Sequence, residues 1–163
     1  WTNEKTFRDR GSGFMIFGLF ESKEAKFWRD ETNRTLNDAR QRFDTSERKK
    51  ISINVLKRIL QTLKDIENLD QKTKKEIMFK LIDEVAKKRR NNINELEYDN
   101  IKWVEDAMVE SYLNMYSGTF GKKLARESVM VIYWCRTNLS ENEIDKLIKN
   151  SGLSKDKIFG DLL

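Results

Sequence analysis

The chain has 163 residues, of which 38% are hydrophobic and 36% are charged, and its formal net charge is +5. This length suggests one domain with a real core, and the helical spacing of the apolar residues excludes a disordered chain. The longest apolar run, residues 13–20, is shorter than the roughly 20 residues of a membrane-spanning helix, so no such helix is expected.

Residues 1–20 are predicted to form an irregular apolar N-terminal lead, followed by a helical domain over residues 21–163. The lead contains the run "GFMIFGLF", which has no charged face of the kind that a helix on a membrane surface shows. We expect this run either to pack across the helical body or to contact a partner. The candidate partner contacts are Phe14, Met15, Phe17, Leu19 and Phe20.

Three amphipathic helices are predicted in the first half of the domain. The first covers residues 21–43, where apolar or small residues recur at steps of three and four. The stretch "DTSERKK" interrupts this pattern, and Ser52 is predicted to cap the second helix. Asp70 is predicted to cap the third helix, which is expected to end in cations that suit a helix C-terminus, namely Lys87, Lys88, Arg89 and Arg90.

The second half of the domain predicts three or four further helices. One covers about residues 94–116. The next, near 122–136, contains "VMVIYWC" and is apolar nearly all round, which predicts the central buried helix. Ser140 and Glu143 form a capping box for another helix, and Gly152 suits its left-handed end. A short seventh helix is predicted to start at Ser154. The predicted fold class is therefore all-α, a single globular domain of six to seven helices.

The sequence contains no recognisable catalytic or metal-binding constellation. There is no histidine, which excludes Ser-His-Asp catalysis and histidine-ligated metals, and Cys135 sits in an apolar run where a thiol is usually inert. Asp106 and Glu110, one helical turn apart, are interpreted as a solvated face. The glycines of "SGTFGKK" are interpreted as a helix–helix turn, because no strand precedes them as in a phosphate loop. We expect no enzymatic activity and no cofactor.

Charge is unevenly distributed along the chain. Residues 45–90 carry a net charge of +7 and residues 91–163 a net charge of −3. The basic part could bind an anionic partner such as nucleic acid, or it could pair with the acidic part within or between chains. The candidate polyanion contacts are Lys49, Lys50, Lys57, Arg58, Lys72, Lys74, Lys75, Lys87, Lys88, Arg89 and Arg90.

Residues 144–162 include "LIKNSGLSKDKI", which looks like the corner of a helix-turn-helix unit. The turn glycine fits, but Ile148 is too large for the point where two such helices cross. The stretch has no arginine, and residues 140–163 carry a net charge of −1, whereas DNA contacts usually need Arg and Lys. We interpret this stretch as a degenerate corner that closes the helical core.

The leading interpretation is a non-enzymatic helical domain for protein–protein interaction or assembly, part of a larger protein or complex. A protein partner or self-association is expected. The single cysteine is consistent with a reducing, intracellular (cytoplasmic) compartment. The alternative interpretation is binding of nucleic acid or another polyanion through residues 45–90, with the degenerate corner nearby.

Overall fold

A computed structural model describes residues 23–93, 101–118 and 130–154 of the chain. These ranges contain six helices and no strand, which confirms the predicted all-α class: α1 (Lys23–Arg42), α2 (Thr45–Ile66), α3 (Gln71–Ile93), α4 (Ile101–Ser117), α5 (Met130–Thr137) and α6 (Glu141–Ser151). The apolar lead, with its five candidate contacts, and the predicted seventh helix lie outside the described residues. In the described ranges, no helix combines the length and the apolar character needed to cross a bilayer.

The chain divides into two compact units, residues 1–30 and residues 31–163. In the first unit, the rings of Phe27 and Trp28 meet edge to face, with centroids 5.3 Å apart. The second unit holds the remainder of α1, the five other helices and the hydrophobic core. The predicted boundary after residue 20 falls where the chain is not described, so it stays a prediction.

Helix α2 lies at the centre of the second unit. It packs against α4, α5 and α6, whereas α3 packs mainly against α4. The buried side chains of α2 recur every three or four residues, so they form one continuous apolar face. That face consists of Ile51, Val55, Leu56, Ile59, Leu60, Leu63 and Ile66, and α1 adds Leu36, Ala39 and, just past its end, Phe43 to the same core.

The helix predicted to be central and buried, near residues 122–136, is described from Met130 onward. Four of its residues are buried, while Tyr133 is 37% exposed. Helix α4 has a larger buried share than α5, since twelve of its seventeen residues are buried. Three of those twelve are carboxylates, so the burial of α4 depends on polar partners as well as on apolar packing.

The start of α2 differs from the prediction. The helix begins at Thr45 and its N-cap is Asp44, so the prediction that Ser52 caps it is wrong. The Glu47 backbone N–H donates to Asp44 Oδ1 at 2.8 Å, and the Asp44 N–H donates to Glu47 Oε1 at 3.1 Å, which satisfies two amides reciprocally. Ser52 lies inside the helix, fully buried, where its hydroxyl donates to the Arg48 carbonyl at 2.8 Å.

The other predicted caps are confirmed. Asp70 Oδ1 accepts a hydrogen bond from the Thr73 N–H at 2.8 Å, and this bond lowers the pKa of the Asp70 carboxyl. Ser140 Oγ accepts from the Glu143 N–H at 3.2 Å, while Glu143 Oε1 accepts from the Ser140 N–H at 2.9 Å. Gly152 ends α6 with a φ of 79°, a left-handed conformation that glycine adopts without a steric penalty.

Replacing the observed cap of α2 should destabilise the fold. We expect Asp44→Ala to lower the free energy of unfolding by about 1 kcal/mol, because the side chain that satisfies the Glu47 amide is lost. Ser46→Ala, two residues into the same helix and exposed, is the matched control and should change little. Urea denaturation followed by circular dichroism measures both. An equal loss in the two variants would contradict the assignment of Asp44 as the cap.

Candidate functional site

Three carboxylates on α4 are buried in the interior of the second unit. Glu105 is 3% exposed, and Asp106 and Glu110 are each 4% exposed. The interpretation of Asp106 and Glu110 as a solvated face is therefore wrong. A buried carboxylate is stable only when it is hydrogen-bonded or paired, and each of the three receives a side chain from α2 or α3.

The Asp106 carboxylate ties α4 to α2. Arg58 Nη1 donates to Asp106 Oδ1 at 2.6 Å, and the Asp106 side chain is 5% exposed while the Arg58 side chain is 31% exposed. This charge-assisted hydrogen bond joins residues 48 positions apart in the sequence. Arg58 therefore stabilises the interior of the fold as the partner of Asp106, although Arg58 lies in a basic part of the sequence.

The Glu110 carboxylate ties α4 to α3 in the same way. Arg89 donates from Nε to Glu110 Oε1 at 2.7 Å, and its Nη2 lies 2.5 Å from the same oxygen. The Arg89 guanidinium also lies over the Trp103 ring, 5.6 Å from the centroid. An ion pair on one side and an aromatic face on the other hold this guanidinium in one place.

Glu105 has a neutral partner. Asn54 Nδ2 donates to Glu105 Oε2 at 2.9 Å. Burial raises the pKa of the Glu105 carboxyl because it disfavours the charged form, and the hydrogen bond from Asn54 only partly offsets this shift. Glu105 thus differs from its two acidic neighbours, both of which have an arginine as an ion-pair partner.

Removing the negative charge of Glu105 should not lower the stability of the fold at neutral pH. The pKa of its carboxyl is higher in the folded than in the unfolded chain, so its contribution to stability is full below the unfolded pKa and falls as pH rises. We expect Glu105→Gln to be as stable as the parent at about pH 4 and more stable at about pH 7. Urea denaturation at both pH values tests this, with the exposed Glu84→Gln as control. A Glu105→Gln variant less stable than the parent at neutral pH would contradict it.

A cleft of about 310 Å³ lies between α1, α3 and α4, beside the Arg89–Trp103 contact. We call it the arginine cleft, and it is lined by Arg34, Thr35, Asp38, Arg42, Arg89, Trp103 and Val104. Three arginines and one aspartate belong to this lining. The Arg34 Nη2 atom pairs with Glu31 Oε2 at 2.7 Å, and the Arg34 Nη1 atom lies 4.0 Å from Asp38 Oδ2. The cleft therefore combines arginines, of which Arg34 and Arg89 already have acidic partners, with the half-buried ring of Trp103.

A second, smaller cleft of about 220 Å³ lies between α2 and α6, at the corner that looked like a helix-turn-helix unit. Both Ile148 and Leu153 are buried here, as expected for a corner that closes the core. Lys64 Nζ donates to the Gly152 carbonyl oxygen at 3.4 Å across the two helices. This cleft is lined by Lys57, Leu60, Gln61, Leu147, Asn150 and Ser151.

The eleven candidate polyanion contacts fall into two groups. Eight of them are exposed, whereas Arg58, Lys74 and Arg89 are partly buried. Three form ion pairs with the acidic part of the chain: Arg58 with Asp106, Arg89 with Glu110, and Lys49 with Glu143 at 2.8 Å. The basic residues 45–90 therefore pair with the acidic residues 91–163 within one chain, one of the alternatives that the charge pattern left open.

The Lys49–Glu143 pair lies at the surface, where α2 meets the start of α6. The hydrogen bond from Lys49, together with the bond from the Ser140 backbone, lowers the pKa of the Glu143 carboxyl to about 2. The pKa of the Glu143 carboxyl is therefore lower in the folded than in the unfolded chain. The stabilisation by this carboxylate is therefore present above the unfolded pKa and is lost as pH falls through the folded one.

Arg34 and Arg42 are the cleft residues that the sequence interpretation missed. Together with Asp38 they recur every four residues, so they lie along one side of α1. That spacing could have marked a charged stripe, but it could not have shown that α3 and α4 complete a cleft beside it. Cys135, in contrast, is buried as predicted, and burial raises the pKa of its thiol to about 12.

Comparisons with known proteins contribute no assignment: no family model, no curated protein and no solved structure matches this chain. Within the described ranges, no three His, Cys, Asp or Glu side chains converge as ligands for a metal ion. The arginine cleft and the distribution of charge are the features of the described ranges that bear on function.

Proposed function

We propose that this chain is a non-enzymatic helical protein–protein interaction domain that binds its partner through the arginine cleft. The observation that carries the proposal is the lining of that cleft, in which Arg34, Arg42 and Arg89 occur together with Trp103. Arginine and tryptophan are the residue types that dominate binding energy at protein interfaces, while lysine is depleted there. The lysine-rich surfaces of α2 and α3 lack this composition.

Rigidity of the cleft also supports the proposal. Arg89 is fixed by Glu110 and by the Trp103 ring before any partner arrives. A side chain that is already ordered loses little conformational entropy on binding, so more of its interaction energy contributes to affinity. An intracellular location belongs to the same proposal and is supported by the single cysteine, which is buried.

A site-specific crosslinking experiment tests the proposal. A photoreactive amino acid at position 38, inside the cleft, should capture a protein from the native lysate, and Arg42→Gln in the same chain should abolish the capture. The same photoreactive amino acid at position 40, on α1 but outside the cleft, is the matched control. Capture at both positions, or at neither, would contradict the proposal. A product of twice the mass of the chain would identify the partner as a second copy.

Polyanion binding through residues 45–90 is the second candidate function, favoured by the eight basic side chains that remain exposed. It predicts binding to DNA or RNA that weakens steeply with salt. The test variant replaces Lys87, Lys88 and Arg90 with Gln and keeps Arg89, because Arg89 also holds Glu110. Binding that is absent at low salt, or that is unchanged in this variant, counts against the second candidate.

A further inference from the structure

The outer side of α3 exposes an aromatic ring among charged side chains. Phe79 is 55% exposed, and four exposed charged residues of the same helix surround it, namely Lys72, Glu76, Lys80 and Asp83. At about 100° of rotation per residue, these five side chains lie within about 100° of the helix circumference, and we call them the α3 face. Among the described residues, none of its four charged side chains has an ion-pair partner, so all four can pair with charges of another molecule.

We infer that the α3 face binds the same face of a second copy of this chain, with the two α3 helices antiparallel. The inference goes beyond the proposed function, because Arg89 of the arginine cleft is rotated by about 120° from Asp83 around α3. One chain can therefore use both surfaces at once. A symmetric dimer of this kind brings the same patch of both copies together, so the patch must be complementary to itself.

The order of charges along the α3 face meets this requirement when one copy is reversed. Glu76 and Lys80 lie two residues before and two residues after the level of Met78. If the helices cross at that level, Glu76 of each copy lies opposite Lys80 of the other. Lys72, six residues before that level, meets Asp83, five residues after it, with a mismatch of about 1.5 Å along the axis. The antiparallel dimer therefore contains four ion pairs, two of each kind.

Phe79 lies at the centre of the same arrangement. It is one residue past the level of Met78, so the two Phe79 rings lie about 3 Å apart along the helix axis. Aromatic rings prefer an offset arrangement to a direct face-to-face sandwich, and this displacement provides the offset. Contact between the two rings removes apolar surface from water at a point that ion pairs flank on both sides.

The same charges make other occupants of the α3 face less suitable. Glu76 and Asp83 repel phosphate groups, so a nucleic acid or an anionic membrane gains little from the lysines beside them. A parallel second copy would place Glu76 against Glu76 and Lys80 against Lys80. The antiparallel second copy is the occupant that matches every charge on the face.

Sedimentation equilibrium of the whole chain over a concentration series, at about 0.1 M ionic strength, tests the inference. We expect the parent to shift from one chain mass to two as its concentration rises. Because Phe79 is exposed, Phe79→Ala should keep the circular dichroism spectrum of the parent while weakening the dimer about tenfold. Lys80→Glu converts two attractive contacts into repulsive ones, so it should weaken the dimer at least as much.

A charge swap tests the pairing itself. Glu76→Lys and Lys80→Glu should each weaken the dimer, whereas the variant with both changes should restore the affinity to within about twofold of the parent. Glu24→Lys, at an exposed position of α1, makes the same change of net charge as Glu76→Lys and should leave the dimer intact.

Three results would overturn the inference. The first is a parent chain that stays monomeric at about 1 mM, which would indicate that a different molecule covers Phe79. The second is a dimer whose affinity is unchanged in Phe79→Ala. The third is a charge-swapped variant that dimerises as weakly as Glu76→Lys or Lys80→Glu alone.

Discussion

Asp106→Asn is expected to lower the free energy of unfolding by about 3 kcal/mol, at the lower end of what breaking a buried ion pair costs. The substitution keeps the shape of the side chain but removes the charge that Arg58 Nη1 contacts at 2.6 Å. The Arg58 guanidinium then remains partly buried without its counter-charge. Because Arg58 keeps 31% of its side-chain exposure, solvent relieves some of this penalty, which places the loss at the lower end.

Two further variants separate the ion pair from other effects of changing Asp106. Asp83→Asn, on the exposed face of α3, should change stability by less than about 0.5 kcal/mol. The double variant Arg58→Met with Asp106→Leu replaces the pair by apolar groups and should recover most of the stability. Urea denaturation at neutral pH measures all three. An Asp106→Asn variant as stable as Asp83→Asn would show that the pair contributes nothing.

Ile59→Ala is expected to lower the free energy of unfolding by about 3–4 kcal/mol, because it removes buried methyl groups and leaves a cavity. Ile59 is 0% exposed and lies in the second half of α2, the helix that packs against α4, α5 and α6. These three contacts limit how far the surroundings can collapse into the space.

Ile53→Ala on the same helix is the control, because Ile53 is only half-buried. This variant should lower the free energy of unfolding by about 1 kcal/mol. Thermal and urea denaturation of both variants provide the comparison. Equal losses at the two positions would contradict the central place of α2 in the core.

The helices and most of their ends could be predicted because local rules determine them. Capping chemistry within a few residues predicts helix ends at Asp70, at Ser140 with Glu143, and at Gly152, and the structure confirms each. The start of α2 was missed although its signal lies in "DTSERKK", where the first and fourth residues form the reciprocal cap. Aspartate and serine suit a cap position equally well, so residue type alone does not distinguish Asp44 from Ser52.

The buried charges could not be predicted, because the spacing of acidic residues on a helix does not reveal which face is covered. Asp106 and Glu110 have the same spacing that a solvated face would show. Their partners Arg58 and Arg89 are 48 and 21 residues away in the sequence. The arginine cleft could not be predicted for the same reason, because α1, α3 and α4 meet only in the folded chain.

The basic second and third helices are stabilised by pairing with the carboxylates of α4. A double-mutant cycle between Arg89 and Glu110, with Arg89→Met, Glu110→Leu and the combined variant, measures this pairing most directly. We predict a coupling free energy of about 2 kcal/mol, with the double variant more stable than either single variant. A coupling indistinguishable from zero would contradict stabilisation of these helices by the carboxylates of α4.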